Sequence, residues 1–285
     1  MNIAIASGKG GTGKTTVTVN LALVAARGDW NVTCLDCDVE EPNGHLFLHP
    51  KIESSRAVGI PVPEVDEGKC TGCGTCAELC AYNAIACIRK KVLIFPELCH
   101  GFGGCARVCP EGAIREVPRD IGVVEKGTAG EIGFVHGRLK VGEAMSPPLI
   151  RAVKSERPGA GDHVVNFLDA PPGTSCPVIT AVSDADLVLL VTEPTPFGLN
   201  DLGLALEMVR ELGLPHGVVV NRHEDDNESA RAFCRERGVE ILGEIPDDRR
   251  VAEAYSRGEV AVDAVPGYEA RFLALWDEIR ERINR

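Results

Sequence analysis

No long apolar run opens this chain. The first apolar stretch, residues 3–6, is too short for a secretory leader or a membrane span, and glycines and lysines follow it at once. With no export or anchoring segment to read, the expectation is a cytoplasmic protein without membrane insertion. Positive charge is also scarce, since 30 Lys and Arg stand against 42 Asp and Glu for a formal net charge of −12. Neutralising phosphates along a nucleic acid takes clustered cations, so this balance argues against general nucleic-acid affinity and for protein partners or a small anion held locally. Twelve cysteines without a secretion signal do not suggest a disulfide scaffold, because the cytosol keeps thiols reduced. Metal or redox chemistry is the better use for them.

What is present divides into two patterns. With 285 residues and 44% hydrophobic content, the chain can bury one large core and still carry a small extra module. Residues 3–7 read as a strand, 8–14 as a glycine loop and 15–27 as a helix. Strand-length apolar runs recur at 32–36, 164–168, 187–192 and 218–221, separated by helical periodicity at 202–212 and 228–237. That alternation predicts an α/β fold with a mostly parallel, doubly wound sheet covered on both faces. A last helix over 267–284 sets Phe272, Trp276, Ile279 and Ile283 on one face, which suits docking on the sheet; its mixed-charge polar face does not suit a membrane surface.

Between Pro61 and Pro118 the texture changes to short, cysteine- and glycine-rich segments. The expected organisation is one domain from residues 1–62 and 119–285, interrupted by an inserted small α+β module over 63–118. The insert repeats itself at an offset of 29 residues, which lays Cys70 on Cys99, Cys76 on Cys105 and Cys80 on Cys109. A unit of this size builds little apolar core, so bound metal is its expected source of stability.

Gly8-Lys9-Gly10-Gly11-Thr12-Gly13-Lys14-Thr15 fits the phosphate-loop pattern, between a predicted strand and a predicted helix, with Thr16 next in the nucleotide-binding set. The glycines let backbone amides converge on phosphates, and the helix N-terminus adds partial positive charge. Lys14 is expected on the outer phosphates and the Thr15 hydroxyl on Mg2+. With the additional Lys9, the loop resembles the deviant phosphate loop of the MinD, ParA, Mrp and nitrogenase iron protein group. The resemblance implies a P-loop ATPase that pairs with itself or a paralogue on ATP, Lys9 reaching the partner's phosphates. It further implies that Asp38 positions the attacking water and that Asp169 holds Mg2+ through water. On the same resemblance, Gly173 senses the terminal phosphate, Asn221 reads adenine beside Arg222, and Pro246 and Asp247 flank the base. Hydrolysis is expected to be slow and stimulated by a partner.

The spacing Cys70-x2-Cys73-x2-Cys76-x3-Cys80 is a ferredoxin ligand run, and Cys99, Cys105 and Cys109 repeat it. Zinc usually takes two separated pairs, not a three-cysteine cradle with a remote fourth. Because the fourth cysteine of each run serves the other cluster, Cys70, Cys73, Cys76 and Cys109 form a complete 4Fe-4S set. The second set has Cys80, Cys99 and Cys105, with Phe102 where its last cysteine belongs. That site is expected to hold 3Fe-4S or a labile 4Fe-4S. Cys34, Cys37, Cys87 and Cys234 read as packing thiols. Cys176, seven residues after Asp169, reads as a packing or switch-loop thiol, with a cross-dimer role as the alternative. Together the motifs resemble MinD-superfamily ATPases with an inserted ferredoxin domain. That resemblance implies ATP use coupled to electron transfer or to cluster handling for a redox or cluster-accepting protein. The alternative is a positioning or scaffold switch whose clusters are structural.

Overall fold

The computed structural model describes residues 1–159, 161–223 and 228–283. The strands are β1 (Asn2–Ala6), β2 (Asn31–Asp36), β3 (Lys51–Val65), β4 (Ile85–Ile88), β5 (Lys91–Ile94), β6 (Ile114–Ala129), β7 (Ile132–Leu139), β8 (Val164–Asp169), β9 (Leu187–Thr192), β10 (His216–His223) and β11 (Ile241–Pro246). The helices are α1 (Lys14–Arg27), α2 (His45–Leu48), α3 (Thr75–Leu79), α4 (Gly104–Val108), α5 (Ser146–Lys154), α6 (Cys176–Val182), α7 (Pro196–Glu211), α8 (Glu228–Glu236), α9 (Arg249–Ser256), α10 (Ala261–Ala264) and α11 (Tyr268–Ile283).

Nine strands form one sheet in the order β11-β10-β9-β1-β8-β2-β7-β6-β3. The seven from β11 to β7 run parallel, and β6 and β3 close the edge antiparallel. Every residue of β9, and all but the first of β1 and β8, is buried. This is why these strands read as continuous apolar runs: a parallel strand with helices on both faces has no wet side. One core cluster gathers residues of α5, α6, α7 and α8, and the other those of α1, α10 and α11. In the second, α11 buries Phe272, Leu275, Trp276 and Ile279, and the ring of Trp276 meets Trp30 edge-on at 5.2 Å. The expected helix end at Asn284 lies outside the described residues. Among the described residues no helix is long and apolar enough to cross a membrane.

The edge strands carry the cysteine-rich segment. β3 pairs with β6 from Lys51 opposite Thr128 to Val65 opposite Ile114, whereas β6 pairs with β7 only from Gly122 onward. Beyond Gly122 the two strands therefore continue as a two-stranded ribbon, and the expected module limits at 63 and 118 fall inside it. Pro61 faces Pro118 across this ribbon. Prolines lack a ladder donor but are tolerated where one side of a strand has no neighbour. At the far end sit the β4–β5 hairpin and the short helices α3 and α4. The repeat is visible in the backbone: Gly74 and Gly103, 29 residues apart, take φ of 87° and 75° and open α3 and α4. The buried apolar cluster proper to the module is only Cys76, Ile85 and Ile114.

Candidate functional site

The loop between β1 and α1 is tied down from several sides. A side chain at Gly8 would collide with the backbone of Asp201, and one at Gly13, where φ is 92°, with the amide nitrogen of Asn221. Asn221, near the end of β10, donates from Nδ2 to the Thr12 carbonyl at 2.7 Å. The Ser7 hydroxyl donates to the Lys9 carbonyl at 2.6 Å. Lys14 is buried, and the buried Thr12 hydroxyl has no hydrogen-bond partner among the described residues. Gly10, Gly11, Gly13, Lys14, Thr15, Thr16 and Asp38 line a cleft of about 350 Å³. Asn221, Arg222, Pro246 and Asp247 line the same cleft. The cleft therefore brings most of the sequence-derived nucleotide residues together.

Beside the loop, three carboxylates converge from adjacent strand ends. Asp36 and Asp169 are register partners on β2 and β8, both buried. The Thr15 hydroxyl donates to Asp169 Oδ2 at 2.6 Å, while Oδ1 is buried without a partner among the described residues. Asp36 accepts from the amides of Asp38 at 3.1 Å and Gly44 at 2.9 Å, so it shapes the loop that presents Asp38. Burial, and then the charge of Asp169, push the Asp38 carboxyl up to about 6. Burial likewise raises Asp36 and Asp169 well above the ordinary carboxylate range. A threonine hydroxyl beside a carboxylate with a free buried oxygen is the hard oxygen donor set that Mg2+ prefers. The residues present fit that ion, which would favour the ionised carboxylates.

Other predicted residues stand elsewhere. Lys9 points to Glu193 at 3.2 Å, and the same carboxylate accepts from Arg222 at 2.6 Å. The Gly173 amide donates to the Ser7 carbonyl at 2.9 Å. Sequence reasoning missed Asp36 as the residue that shapes the loop presenting Asp38, and Asp248, Val251, Tyr255, Tyr268 and Phe272 in the cleft wall. The amphipathic pattern of α9 after Pro246-Asp247-Asp248 was the available signal for part of that wall.

In the module, Cys70, Cys73, Cys76 and Cys109 line one cavity together with Val65, Val92 and Ile114. Cys80, Cys99 and Cys105 line a second cavity of about 220 Å³, which Cys76 also reaches. Backbone amides turn toward two of these sulfurs, Gly101 to Cys99 at 3.4 Å and Ala113 to Cys109 at 3.3 Å. Phe102 stands at the second cavity, 78% exposed. Tyr82, His100 and Glu116, none of them singled out from sequence, line it too. Cys34, Cys37 and Cys234 are buried, Cys87 is half-buried on β4, and Cys176 is exposed at the start of α6.

Residues 3–262 match the CobQ/CobB/MinD/ParA nucleotide binding domain. An uncharacterised protein of Methanocaldococcus jannaschii is 33% identical over 229 residues, covering 80% of each chain. An iron-sulfur cluster carrier protein of Pyrococcus abyssi is 25% identical over 90% of this chain and 77% of its own. Among solved structures, the septum site-determining protein MinD complexed with Mg-ADP from Pyrococcus horikoshii superposes with a TM-score of 0.60 at 21% identity, covering 98% of this chain and 95% of that one. A P-loop after β1, a mostly parallel sheet and a family match spanning nearly all of both agree: the chain belongs to the CobQ/CobB/MinD/ParA family of nucleotide-binding proteins.

Proposed function

We propose that this chain is an ATPase that couples a nucleotide-driven dimer switch to iron-sulfur clusters in its inserted ferredoxin-like module, for electron transfer or for cluster handling on behalf of a protein partner. The observation that carries the reading is the placement of Cys70, Cys73, Cys76 and Cys109 around one cavity. Soft sulfur donors suit iron and sulfide, and the three-cysteine run with a remote fourth is the ferredoxin ligand pattern. The residues present therefore fit a 4Fe-4S cluster, which would supply a one-electron couple.

The remaining chemistry falls to the chain's own groups. The P-loop amides and Lys14 hold the phosphates, and the cleft wall from Asn221 to Phe272 takes the base and ribose. Asp38 faces the cleft and orients water toward the terminal phosphoryl group; Thr15 and Asp169 would hold Mg2+, which would neutralise developing charge. Lys9 leaves Glu193 to complete the site of a second copy. The coupling route is β6. One end of this strand carries the ribbon to Cys109, and Glu125 toward the other bonds the ring of His136 at 2.9 Å. His136 is the register partner of Asp36, which shapes the loop bearing Asp38.

The test is iron and sulfide analysis of anaerobically purified protein, with ATPase rates compared before and after dithionite reduction. At least about four irons per chain and a rate that depends on reduction are expected. Iron-free protein that folds and hydrolyses ATP normally would remove the redox half of the proposal. Iron-loaded protein whose rate ignores reduction would favour the second reading, a positioning switch with structural clusters, toward which the MinD-like fold leans.

A further inference from the structure

The second cavity holds three thiols at ligand spacing and a phenylalanine at the fourth position. We infer that the carboxylate of Glu116 is the fourth iron ligand at this second site, an assignment that rests on the iron-sulfur reading above. The internal repeat supplies the argument. Cys73 stands at the first cavity immediately before Gly74, and its counterpart Phe102 stands at the second immediately before Gly103, where a side chain without a donor atom leaves the fourth position unfilled. The same 29-residue shift lays Cys87 on Glu116. Cys87 packs near Gly74, its Cβ 3.9 Å from where a Gly74 Cβ would stand, and its thiol turns to the Gly72 carbonyl, outside the cavity wall. Glu116 is longer. Its Oε1 lies 3.0 Å from where a Gly103 Cβ would stand, beside the position where Phe102 fails to supply a ligand, and its side chain lines the cavity with Cys80, Cys99 and Cys105.

Glu116 is also free for the role. Its flanking cations are engaged elsewhere, Arg115 with Glu64 and Arg119 with Glu143, and among the described residues the Glu116 side chain makes no hydrogen bond or ion pair. His100 is the competing donor in the same wall, but its ring lies flat on Tyr82 with centroids 3.6 Å apart. A carboxylate binds iron less tightly than a thiolate, because a hard oxygen matches the sulfide-bound metal less well. The two sites then differ in kind: an all-thiolate cluster that persists, and a neighbour with one exchangeable vertex. Loss of that vertex divides a dipositive four-iron cluster into a neutral three-iron cluster and one ferrous ion, while the Glu116 oxygen regains solvent. No electron changes hands.

The experiment uses the full chain, reconstituted anaerobically and titrated with ferrous ion in a chelator buffer, with Mössbauer and EPR spectra counting the fourth iron. In the native chain one ferrous ion exchanges while the first cluster stays intact. Glu116→Gln is expected to weaken ferrous binding at the second site by at least about tenfold, the scale on which ligand-shell changes act on metal affinity. Phe102→Cys in the same background restores tight binding, and His100→Ala leaves the exchange unchanged. Native-like ferrous affinity in Glu116→Gln, or its loss in His100→Ala instead, overturns the assignment. If neither site takes up iron and sulfide, the underlying iron-sulfur reading fails, an outcome the first cluster's spectrum distinguishes.

Discussion

Lys9, Glu193 and Arg222 form a three-member charge cluster in which one carboxylate, 14% exposed, holds the lysine the dimer would need. Partly exposed ion pairs contribute about 0.2–1 kcal/mol, so releasing Lys9 is a small cost to association. Glu193→Gln is expected to strengthen ATP-dependent dimerisation by about two- to fivefold, read by sedimentation velocity, while Lys9→Ala abolishes it. A weaker dimer in Glu193→Gln would mean that the carboxylate acts within the dimer instead. Asp38 makes a second prediction. Its pKa is raised in the folded protein to about 6, so its stabilising contribution is present below the unfolded value and lost as pH rises through 6. In nucleotide-free, magnesium-free protein, Asp38→Asn should therefore gain stability over the native chain as pH rises from about 4 to 7, by on the order of 2 kcal/mol. Mg2+ and nucleotide should narrow that gap, since they favour the ionised carboxylate. Differential scanning calorimetry across pH measures both, and a gap that shrinks on raising pH would show that the carboxyl is not destabilised by burial.

At the scale of elements, α11 tests what closes the second core. Trp276 is 3% exposed and packs on Trp30 and Phe167, so Trp276→Ala leaves a large cavity and should cost about 3–5 kcal/mol in denaturant unfolding. Iron content per folded chain should not change, because the core cluster around Trp276 contains none of residues 66–113. A parallel loss of iron would mean that the module depends on that face. The amphipathic face of α11 was legible in the sequence, as were β1, β2, β8, β9 and β10, because buried parallel strands leave no polar alternation to confuse the reading. The strands β3, β6 and β7 were not. The first seven residues of β3 are all exposed, and β6 intersperses Arg115, Glu116, Arg119 and Asp120 among its apolar residues, so neither forms an apolar run. The same limit applies at the site. Loop glycines, Lys14 and the cysteine spacings carry their chemistry locally, whereas the grip of Asp36 on the Asp38 loop and the place of Glu116 exist only once distant strands meet.

For the whole molecule, the cysteine-rich module is either a separable attachment or part of the nucleotide-binding unit. The ribbon of β3 and β6 connects the two through ladder pairs, and its last link is the Asp66 amide donating to the Ala113 carbonyl at 2.7 Å. Such a pair can be closed by a two-residue Asn-Gly turn, whose type I′ geometry matches the twist of the flanking strands. Replacing residues 67–112 with Asn-Gly would therefore keep the sheet and both core faces. It would not be free of cost. Ala84 and Cys99 of the module belong to the same buried cluster as Ile60 and Val62 of the ribbon, and exposing those two side chains would remove about 1.5–3 kcal/mol each at most. The nine-stranded sheet retains far more buried apolar surface than that. The shortened chain should fold with a lowered melting temperature, bind ATP in the cleft between the P-loop and α9, and carry no iron. Its ATPase rate should no longer respond to dithionite, because the strand that joins Cys109 to Glu125 ends in a turn. Rates and iron content of the two chains, measured side by side under anaerobic conditions, decide this. A shortened chain whose hydrolysis still tracks reduction would place the redox response in the ATPase unit itself, with the exposed Cys176 as the thiol to examine next.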